Sequence, residues 1–379
     1  MSTPKIKYSK LLGKESRKSK VAKTIAVIAT ALSVAIVIIS TIVADGFRGE
    51  IENKTVSLMH FAHIREISQV FITSRDVKLD DSQIEELNQS IAPQELISVI
   101  ETQGVLQNSV NLAPTTLRSE STDTITPGNI VLSKTAAKLL NAKVGDHIDI
   151  LSLDSETPQQ KRLKVSQIYS TGIVELEALI ARISPQDIKE MVDIEEGWVS
   201  YYAIEETTPL DDTWNIAEKY SLDIETTDMM APQIYGWLMM IDNNLTLVLI
   251  IMIIVAIINI ITSTLIVMLD STKTIATLRA LGLNRRNGIR IFFMGVGRYA
   301  FKGMLWGIAI AIGLGILQDT FTIITLDEVS YFVNKVPIAF NWLKLASYIA
   351  LMSLAITLSL LTPISIVTRI NIAAALKYQ

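Results

Sequence analysis

Two pairs of residues in this chain have a spacing that could serve chemistry, and neither pair is part of a complete catalytic set. His60 and His63 are three residues apart, so one face of a helix could present both to a metal ion. The third histidine, His147, is remote in the sequence, and there is no cysteine, which favours ordinary surface or turn histidines. Glu175 and Glu177 would share one face of a strand, but no nucleophile accompanies them.

The sequence also lacks the glycine-rich loop that binds nucleotide phosphates. Its Gly-Lys pair, Gly13-Lys14, is followed by Glu15 rather than by Ser or Thr. No basic patch interleaved with aromatic residues indicates a nucleic-acid partner. We therefore predict a chain that is not an enzyme, has no catalytic residue, holds no metal and does not hydrolyse ATP itself.

Four uncharged apolar stretches dominate the sequence instead. A helix needs roughly 20 apolar residues to cross ~30 Å of hydrocarbon. The third stretch is short, and reaches that length if Arg298 and Lys302 extend towards lipid headgroups. We predict an α-helical membrane protein with four transmembrane helices at residues 24–44, 243–269, 299–318 and 345–368.

The charges between these stretches predict their orientation. Residues 1–23 carry eight Lys and Arg against one acid, and residues 270–302 carry seven against one. Residues 45–242 carry 33 acids and 15 bases. Lys and Arg in short loops mark the cytoplasmic side of a membrane. We therefore place the termini (1–23 and 369–379) and the loop 270–298 in the cytoplasm, and residues 45–242 and 319–344 outside.

The large outer segment, residues 45–242, is predicted to be an α/β domain. It is long enough to bury its own core and, without cysteine, has no disulfide. The polar, turn-rich stretch 115–127 is a candidate seam between two subdomains. The hydrophobic pattern predicts strands at 65–73, 95–101, 147–153 and 162–169, and helices at 81–91, at 133–141 with Ser133 as N-cap, and from Ser184-Pro185.

The cytoplasmic loop contains a short segment with an apolar stripe. In residues 271–281, Ile275, Leu278 and Leu281 fall on one side of a short helix. Such a helix suits a groove on a cytosolic partner, and it equally suits a connector that lies on the membrane surface. The residues alone leave both interpretations open.

Glycine and asparagine mark the boundaries around this segment. Gly282 is expected to end the short helix, and Asn284 to cap the next helix, which begins at Arg285. Further along, Gly303 and Gly307 have the spacing that allows two membrane helices to approach closely.

Residues 278–286 (LRALGLNRR) resemble the coupling segment of the FtsX/MacB-like ABC transporter permeases. Residues 370–378 are similar to the C-terminus of that superfamily, and the layout of one span, a large outer domain and three further spans also matches. Within the superfamily, residues 45–51 and 62–64 resemble the lipoprotein-releasing permeases of the LolC/LolE type. Thr274, where an acid is usual, and Ala373, where proline is usual, depart from the pattern.

The resemblance implies a permease subunit of the bacterial inner membrane, with the outer domain in the periplasm. A second permease subunit, identical or paralogous, and cytosolic ABC ATPases would complete the transporter. The ATPase would bind ATP and magnesium, so that this chain needs no cofactor. The resemblance assigns ATPase coupling to Ile275, Leu278, Arg279, Ala280, Leu281, Gly282, Asn284 and Arg285.

The same resemblance implies that ATP-driven motion ejects a lipoprotein client, with a periplasmic lipoprotein carrier as a further partner. Two alternatives stay open, a MacB-like efflux permease for peptides or small molecules and an FtsX-like regulator of a cell-wall hydrolase. The apolar residues expected to line a cleft for the lipid or client are Ile39, Val43, Phe47, Met239, Met240 and Leu245.

Overall fold

The computed structural model describes residues 17–66, 77–153, 159–192, 194, 197–280, 285–327 and 331–359. The chain forms two compact units. The first, which we call the helical unit, comprises Met1–Arg48, Leu238–Thr325 and Val336–Gln379. The second, the sheet unit, comprises Gly49–Trp237 and Leu326–Lys335.

The secondary structure alternates irregularly between helices and strands. The helices are α1 (Arg17–Met59), α2 (Asp81–Ile91), α3 (Lys134–Leu139), α4 (Val174–Glu177), α5 (Pro185–Met191), α6 (Asp211–Lys219), α7 (Thr227–Met230), α8 (Pro232–Ala280), α9 (Arg285–Phe321) and α10 (Trp342–Ser359). The strands are β1 (Ala62–Glu66), β2 (Ile97–Asn108), β3 (Asn111–Glu120), β4 (Asn129–Ser133), β5 (His147–Ser152), β6 (Gln160–Tyr169), β7 (Ile180–Ile183), β8 (Tyr201–Ile204) and β9 (Leu222–Thr226).

Four of the helices are long and apolar enough to cross a membrane. Across the described part of the chain, the candidate spans are Lys23–Met59, Pro232–Ile266, Gly297–Phe321 and Trp342–Ser359. Their apolar side chains form one buried cluster in the helical unit, which contains Val34, Ile38 and Ile42 of α1 and Leu245 of α8. The predicted segment 345–368 extends beyond the described residues, as do residues 1–16 and the tail 369–379.

The sheet unit is built on a nine-stranded sheet, counted over the described residues. The strand order is β3-β7-β4-β6-β5-β2-β8-β1-β9, and a further pairing of β3 with β2 closes the first six strands into a ring. Strand β2 makes this possible because it is long, pairing with β8 through residues 97–99 and with β5 through residues 104–107. The main buried apolar cluster of the unit includes Ile64, Leu106, Leu117 and Ile204, and a smaller one contains Ile97, Val99, Tyr201 and Ala203.

Local signals in the sequence explain several of these boundaries. The Ser133 hydroxyl accepts a hydrogen bond from the Ala136 amide at 3.0 Å, which confirms the predicted N-cap of α3. Ser184 caps α5 in the same way, and Pro185 occupies the first turn of that helix. The predicted helix 81–91 coincides with α2.

The candidate seam at residues 115–127 is wrong. Residues 115–120 belong to β3, and most of their side chains are buried. The stretch resembles a turn in sequence because it is rich in Thr, Ser and charged residues. Several of its polar side chains are paired within the fold, as with the Thr115 hydroxyl, which donates to the Leu179 carbonyl oxygen at 3.3 Å. The predicted strand 65–73 is also displaced, because β1 covers Ala62–Glu66 and residues 67–76 lie outside the described part.

Candidate functional site

The residues that the sequence predicts to contact an ATPase lie at the end of α8 and the start of α9. The expected separate helix over 271–281 is wrong, because α8 runs unbroken from Pro232 to Ala280. No Gly or Pro occurs between Gly236 and Gly282, so nothing in the sequence interrupts this helix. Ile275, Leu278, Arg279 and Ala280 belong to α8, Arg285 begins α9, and Leu281, Gly282 and Asn284 lie outside the described residues.

Two glycines of α9 lie directly against α1. A Cβ atom built on Gly303 would meet the Val27 carbonyl oxygen at 2.7 Å, and one built on Gly307 would meet the Ala31 carbonyl oxygen at 2.5 Å. Further along, a Cβ on Gly315 would meet Ile42 at 2.7 Å. Residue numbers at these contacts increase in the same direction along α1 and α9, so the two helices pack in parallel. Such close backbone approach is typical of small residues in membrane helices.

The six residues expected to line a client cleft do not form a single group. Leu245 is buried in the apolar cluster of the helical unit, and Ile39 and Val43 pack against that cluster. Met239 and Met240 are exposed and Phe47 is half-buried, and none of the three is part of the cluster. On α8, Leu245 is six and five positions after Met239 and Met240 and therefore lies on a different face of the helix from them.

Ion pairs between helices form a feature that sequence reasoning missed. The Lys344 ammonium of α10 pairs with Asp45 of α1, and the Arg48 guanidinium pairs with Asp242 of α8. Beside them, Gly46 lies against the backbone of Pro337 so closely that no Cβ would fit. The paired residues are 299 and 194 positions apart in sequence, so no local pattern could have revealed them.

A second missed feature is a polar cluster where α1 enters the sheet unit. The last carbonyl groups of a helix lack partners within the helix, and here side chains from other elements supply them. Arg118 of β3 donates to the Leu58 carbonyl oxygen, and His63 Nε2 donates to the Met59 carbonyl oxygen at 2.7 Å. The Thr227 hydroxyl donates to the His60 carbonyl oxygen at 3.0 Å. We call these groups, with their partners Glu101, Glu120 and Tyr201, the junction cluster.

The junction cluster is internally paired. Arg118 Nε lies 2.5 Å from Glu101 Oε1, and the Tyr201 hydroxyl donates to that oxygen at 2.7 Å. His63 stacks on the Tyr201 ring with 3.8 Å between ring centroids. His60 Nε2 lies 3.3 Å from Glu120 Oε1, while its Nδ1 has no hydrogen-bond partner among the described residues. The positively charged guanidinium of Arg118 also complements the negative, C-terminal end of the α1 dipole.

The surroundings of the junction cluster shift the pKa values of its members. Burial lowers the pKa of His63 to about 2, and the charge of Arg65 acts in the same direction. Burial opposes ionisation of Glu120, but the hydrogen bond from His60 and the charge of Arg182 outweigh it and lower the pKa of this carboxyl group. Burial raises the pKa of the Tyr201 phenol, and the neighbouring Glu101 carboxylate adds to that effect.

These contacts revise the expectations for the histidines and glutamates. His60 adopts a positive φ of 60° in the turn after α1, and His63 is on β1, so no helix face carries both. Both are buried, which contradicts a surface location. Glu177 lies in α4 rather than on a strand and accepts hydrogen bonds from the Thr171 amide at 2.7 Å and the Thr135 hydroxyl at 3.0 Å. Across the described residues, no three His, Asp or Glu side chains are placed to hold a metal ion.

Comparisons with known proteins show what parts of the chain are similar to. Residues 246–372 match the family described as FtsX-like permease C-terminal. Two relatives from Xylella fastidiosa, strains 9a5c and Temecula1, are each named lipoprotein-releasing system transmembrane protein LolC. Each is 22% identical over 253 residues, which is 61% of this chain and 60% of the length of the relative.

Two solved structures resemble part of the chain. The periplasmic region of MacB from Actinobacillus actinomycetemcomitans is 12% identical, with a TM-score of 0.31, and the match covers 47% of this chain and 93% of that structure. The extracellular domain of the transporter YknZ from Gram-positive bacteria is 10% identical, with a TM-score of 0.29. That match covers 43% of this chain and 98% of that structure. The family match and the LolC relatives confirm the predicted resemblance to the FtsX/MacB-like permeases.

Proposed function

We propose that this chain is the permease subunit of an ABC transporter that releases lipoproteins from the outer face of a bacterial inner membrane. The observation that carries the proposal is the match of residues 246–372 to the FtsX-like permease family, because that range includes the LRALG sequence of residues 278–282. The LolC relatives, whose name refers to lipoprotein release, indicate the class of client.

The end of α8 is the proposed contact with a cytosolic ATPase. The sequence has no phosphate-binding loop of its own, so ATP and magnesium would be bound by that partner. Ile275 and Leu278 lie on the last turns of a 49-residue helix that no glycine or proline interrupts beyond Gly236. A displacement imposed at Ala280 would therefore pass along α8 without a flexible joint.

The outward faces of the spans are the proposed lipid and subunit contacts. Large apolar residues are exposed between positions 239 and 266 of α8, including Leu247, Ile250, Ile254 and Ile258. A surface of this kind is stable only against lipid or another apolar surface. We assign it to surrounding lipid and a second permease subunit, and we assign the exposed Met239 and Met240 to contact with the acyl chains of the client.

The charge asymmetry supports the orientation that release would need. The basic segments 1–23 and 270–298 are placed in the cytoplasm, where the ATPase acts, and the acidic sheet unit in the periplasm, where a lipoprotein carrier would receive the client. The parallel packing of α1 and α9 agrees with this arrangement, because a first and a third span cross a membrane in the same direction.

Depletion of the chain in its own cell tests the proposed client. Mature lipoproteins would be labelled through their lipid and separated into inner-membrane and outer-membrane fractions. Accumulation in the inner membrane, reversed by a plasmid copy of the chain, is the expected result. Unchanged lipoprotein sorting would overturn the proposal. In that case drug sensitivity would point to a MacB-like efflux permease, and cell filamentation to an FtsX-like regulator.

A further inference from the structure

The segment between α9 and α10 contains a group of large apolar side chains with little protein around them. Two stretches of the helical unit, residues 321–325 and 336–343, form this group, which we call the outer platform. It contains no Asp, Glu, Lys or Arg. Five of its large side chains have high exposed fractions: 71% for Phe321, 60% for Ile323, 56% for Ile324, 65% for Trp342 and 84% for Leu343.

The backbone of the outer platform is held in a defined conformation by one buried side chain. Gln318 Oε1 accepts from the Ile324 amide at 2.9 Å, and Gln318 Nε2 donates to the Ile324 carbonyl oxygen at 2.9 Å and to the Val336 carbonyl oxygen at 3.4 Å. The Val336 amide donates to the Ile324 carbonyl oxygen at 3.3 Å. These bonds join the two stretches side by side.

The platform is also fixed to the neighbouring helices. The Ala339 amide donates to the Ile42 carbonyl oxygen of α1 at 3.0 Å, and the Asn341 side chain accepts from the Lys344 amide at the start of α10 at 3.1 Å. The rings of Phe340 and Trp342 stack with centroids 5.5 Å apart. The exposed side chains therefore belong to an ordered surface with several of its backbone polar groups already paired.

We propose that the outer platform inserts its apolar side chains into the boundary between headgroups and acyl chains of the outer membrane leaflet. Phe321 and Trp342 are the last and first residues of two candidate spans, so the platform lies at the depth where those spans leave the hydrocarbon. Non-helical backbone is tolerated near hydrocarbon only where its polar groups are paired, and Gln318 provides that pairing. Tryptophan is the residue type that favours this interface.

The platform continues an apolar surface of the adjacent span. Leu314 and Leu317, on the last turns of α9 before Phe321, are also exposed. Lipid that covers α9 would therefore cover the platform without a break. Lys344, the first charged side chain after residues 336–343, is paired with Asp45 and does not place a free charge at this surface.

Quenching of tryptophan fluorescence by brominated lipid tests the proposal. The full chain, with its other four tryptophans replaced by Phe so that Trp342 alone remains, would be placed in phosphatidylcholine vesicles brominated near the glycerol end of the acyl chain. We expect at least a twofold loss of Trp342 emission relative to unbrominated lipid. Chains that keep only Trp306, exposed on α9, or only Trp214, in the sheet unit, provide the quenched and unquenched controls.

Two outcomes would overturn the proposal. Quenching of Trp342 by aqueous iodide but not by brominated lipid would place the platform in water. Protection from both quenchers would show that protein, such as a second copy of this chain, covers it. Neither measurement uses ATP or a lipoprotein, so the result is independent of the proposed function.

A second measurement avoids the tryptophan substitutions. The chain has no cysteine, so Leu343→Cys places a single spin label on the otherwise native protein. The measured quantity is the ratio of the label's collision rate with oxygen to its collision rate with a water-soluble nickel chelate. If Leu343 contacts lipid, this ratio should be at least twice that of a label at Val110→Cys. Val110 is 93% exposed in the sheet unit. Equal accessibility at the two positions would contradict insertion.

Discussion

Gly307 of α9 lies so close to Ala31 of α1 that a Cβ atom on the glycine would be 2.5 Å from the alanine carbonyl oxygen. We predict that Gly307→Leu separates the two helices, because neither the backbone of Ala31 nor the Val34 side chain, 2.8 Å from the same point, can move aside without repacking α1. The thermal midpoint of the purified chain should fall by about 5 °C or more.

Gly313→Leu is the matched control for this substitution. Both glycines are on α9, but no described atom outside the local helix lies within 4 Å of a Cβ built on Gly313. Its midpoint should stay within about 2 °C of the native value. Equal losses for both variants would show that the effect comes from leucine in a membrane helix and not from contact with α1.

Arg118 is predicted to be a main stabilising residue of the junction cluster. Arg118→Gln would leave the half-buried Glu101 carboxylate without its cation and the buried Leu58 carbonyl oxygen without its guanidinium donor. Breaking a buried pair from one side costs about 3–5 kcal/mol. Chemical unfolding of the full chain, followed by hydrogen exchange of the β2 amides, would measure the loss.

A surface arginine on the same sheet provides the comparison. Arg162 Nε lies 3.7 Å from Asp149 Oδ1, and the Arg162 side chain is 69% exposed. Exposed pairs of this kind contribute about 1 kcal/mol or less, so Arg162→Gln should leave the free energy of unfolding nearly unchanged. A small loss for Arg118→Gln as well would mean that water or another group replaces the guanidinium.

The low pKa of His63 predicts that the sheet unit is acid-sensitive. In the folded state burial lowers this pKa to about 2, whereas an unfolded histidine titrates near 6.5. Below pH 6.5 the unfolded chain therefore binds a proton that the folded chain does not, and folding stability falls as pH falls. The slope is about 1.4 kcal/mol per pH unit.

His63→Gln should remove this slope between pH 6.5 and 4.5, since glutamine can donate to the Met59 carbonyl oxygen but does not titrate. Above about pH 4.5 the Glu120 carboxylate, whose folded pKa is also lowered, contributes little to the pH dependence. Hydrogen exchange of β1 and β8 amides between pH 4.5 and 6.5 would measure how the stability of the sheet unit changes with pH. His147→Gln, at an exposed position of β5, should retain the native slope, and a retained slope in His63→Gln would contradict the assignment.

The features that the sequence predicted are those with local causes. The spans follow from uninterrupted apolar length, and the starts of α3 and α5 follow from Ser133 and Ser184 with their neighbours. Strand β3 was missed because Arg118 looks like a surface residue until Glu101 and the end of α1 are brought to it by the fold. Burial of polar residues by distant partners leaves no periodic signal in the chain.

The same limit applies to the candidate site. The predicted coupling residues could be chosen because they are contiguous in sequence, and the extension of α8 to Ala280 follows from the absence of a helix breaker between Gly236 and that residue. The six cleft residues were chosen for apolar character near two span ends. That criterion cannot distinguish Leu245, which packs inside the helical unit, from Met240, which faces outward.

The apolar stripe at the end of α8 predicts where the proposed ATPase subunit binds. Ile275 and Leu278 are three residues apart on the helix and therefore share a face. We predict that Leu278→Asp combined with Leu281→Asp reduces co-purification of the ATPase subunit at least tenfold, because desolvated carboxylates would replace apolar anchors. The measurement is the ratio of the two subunits after affinity capture of the tagged permease in mild detergent.

Ala276→Asp tests whether the stripe itself matters. At 100° per residue, position 276 lies on the side of α8 opposite the stripe, so the same charge there should leave the ATPase bound. Each variant must keep the native thermal midpoint, which separates lost docking from lost folding. If Ala276→Asp releases the ATPase as fully as the double variant, the face is not specific, and a retained ATPase in the double variant would place the contact elsewhere on the chain.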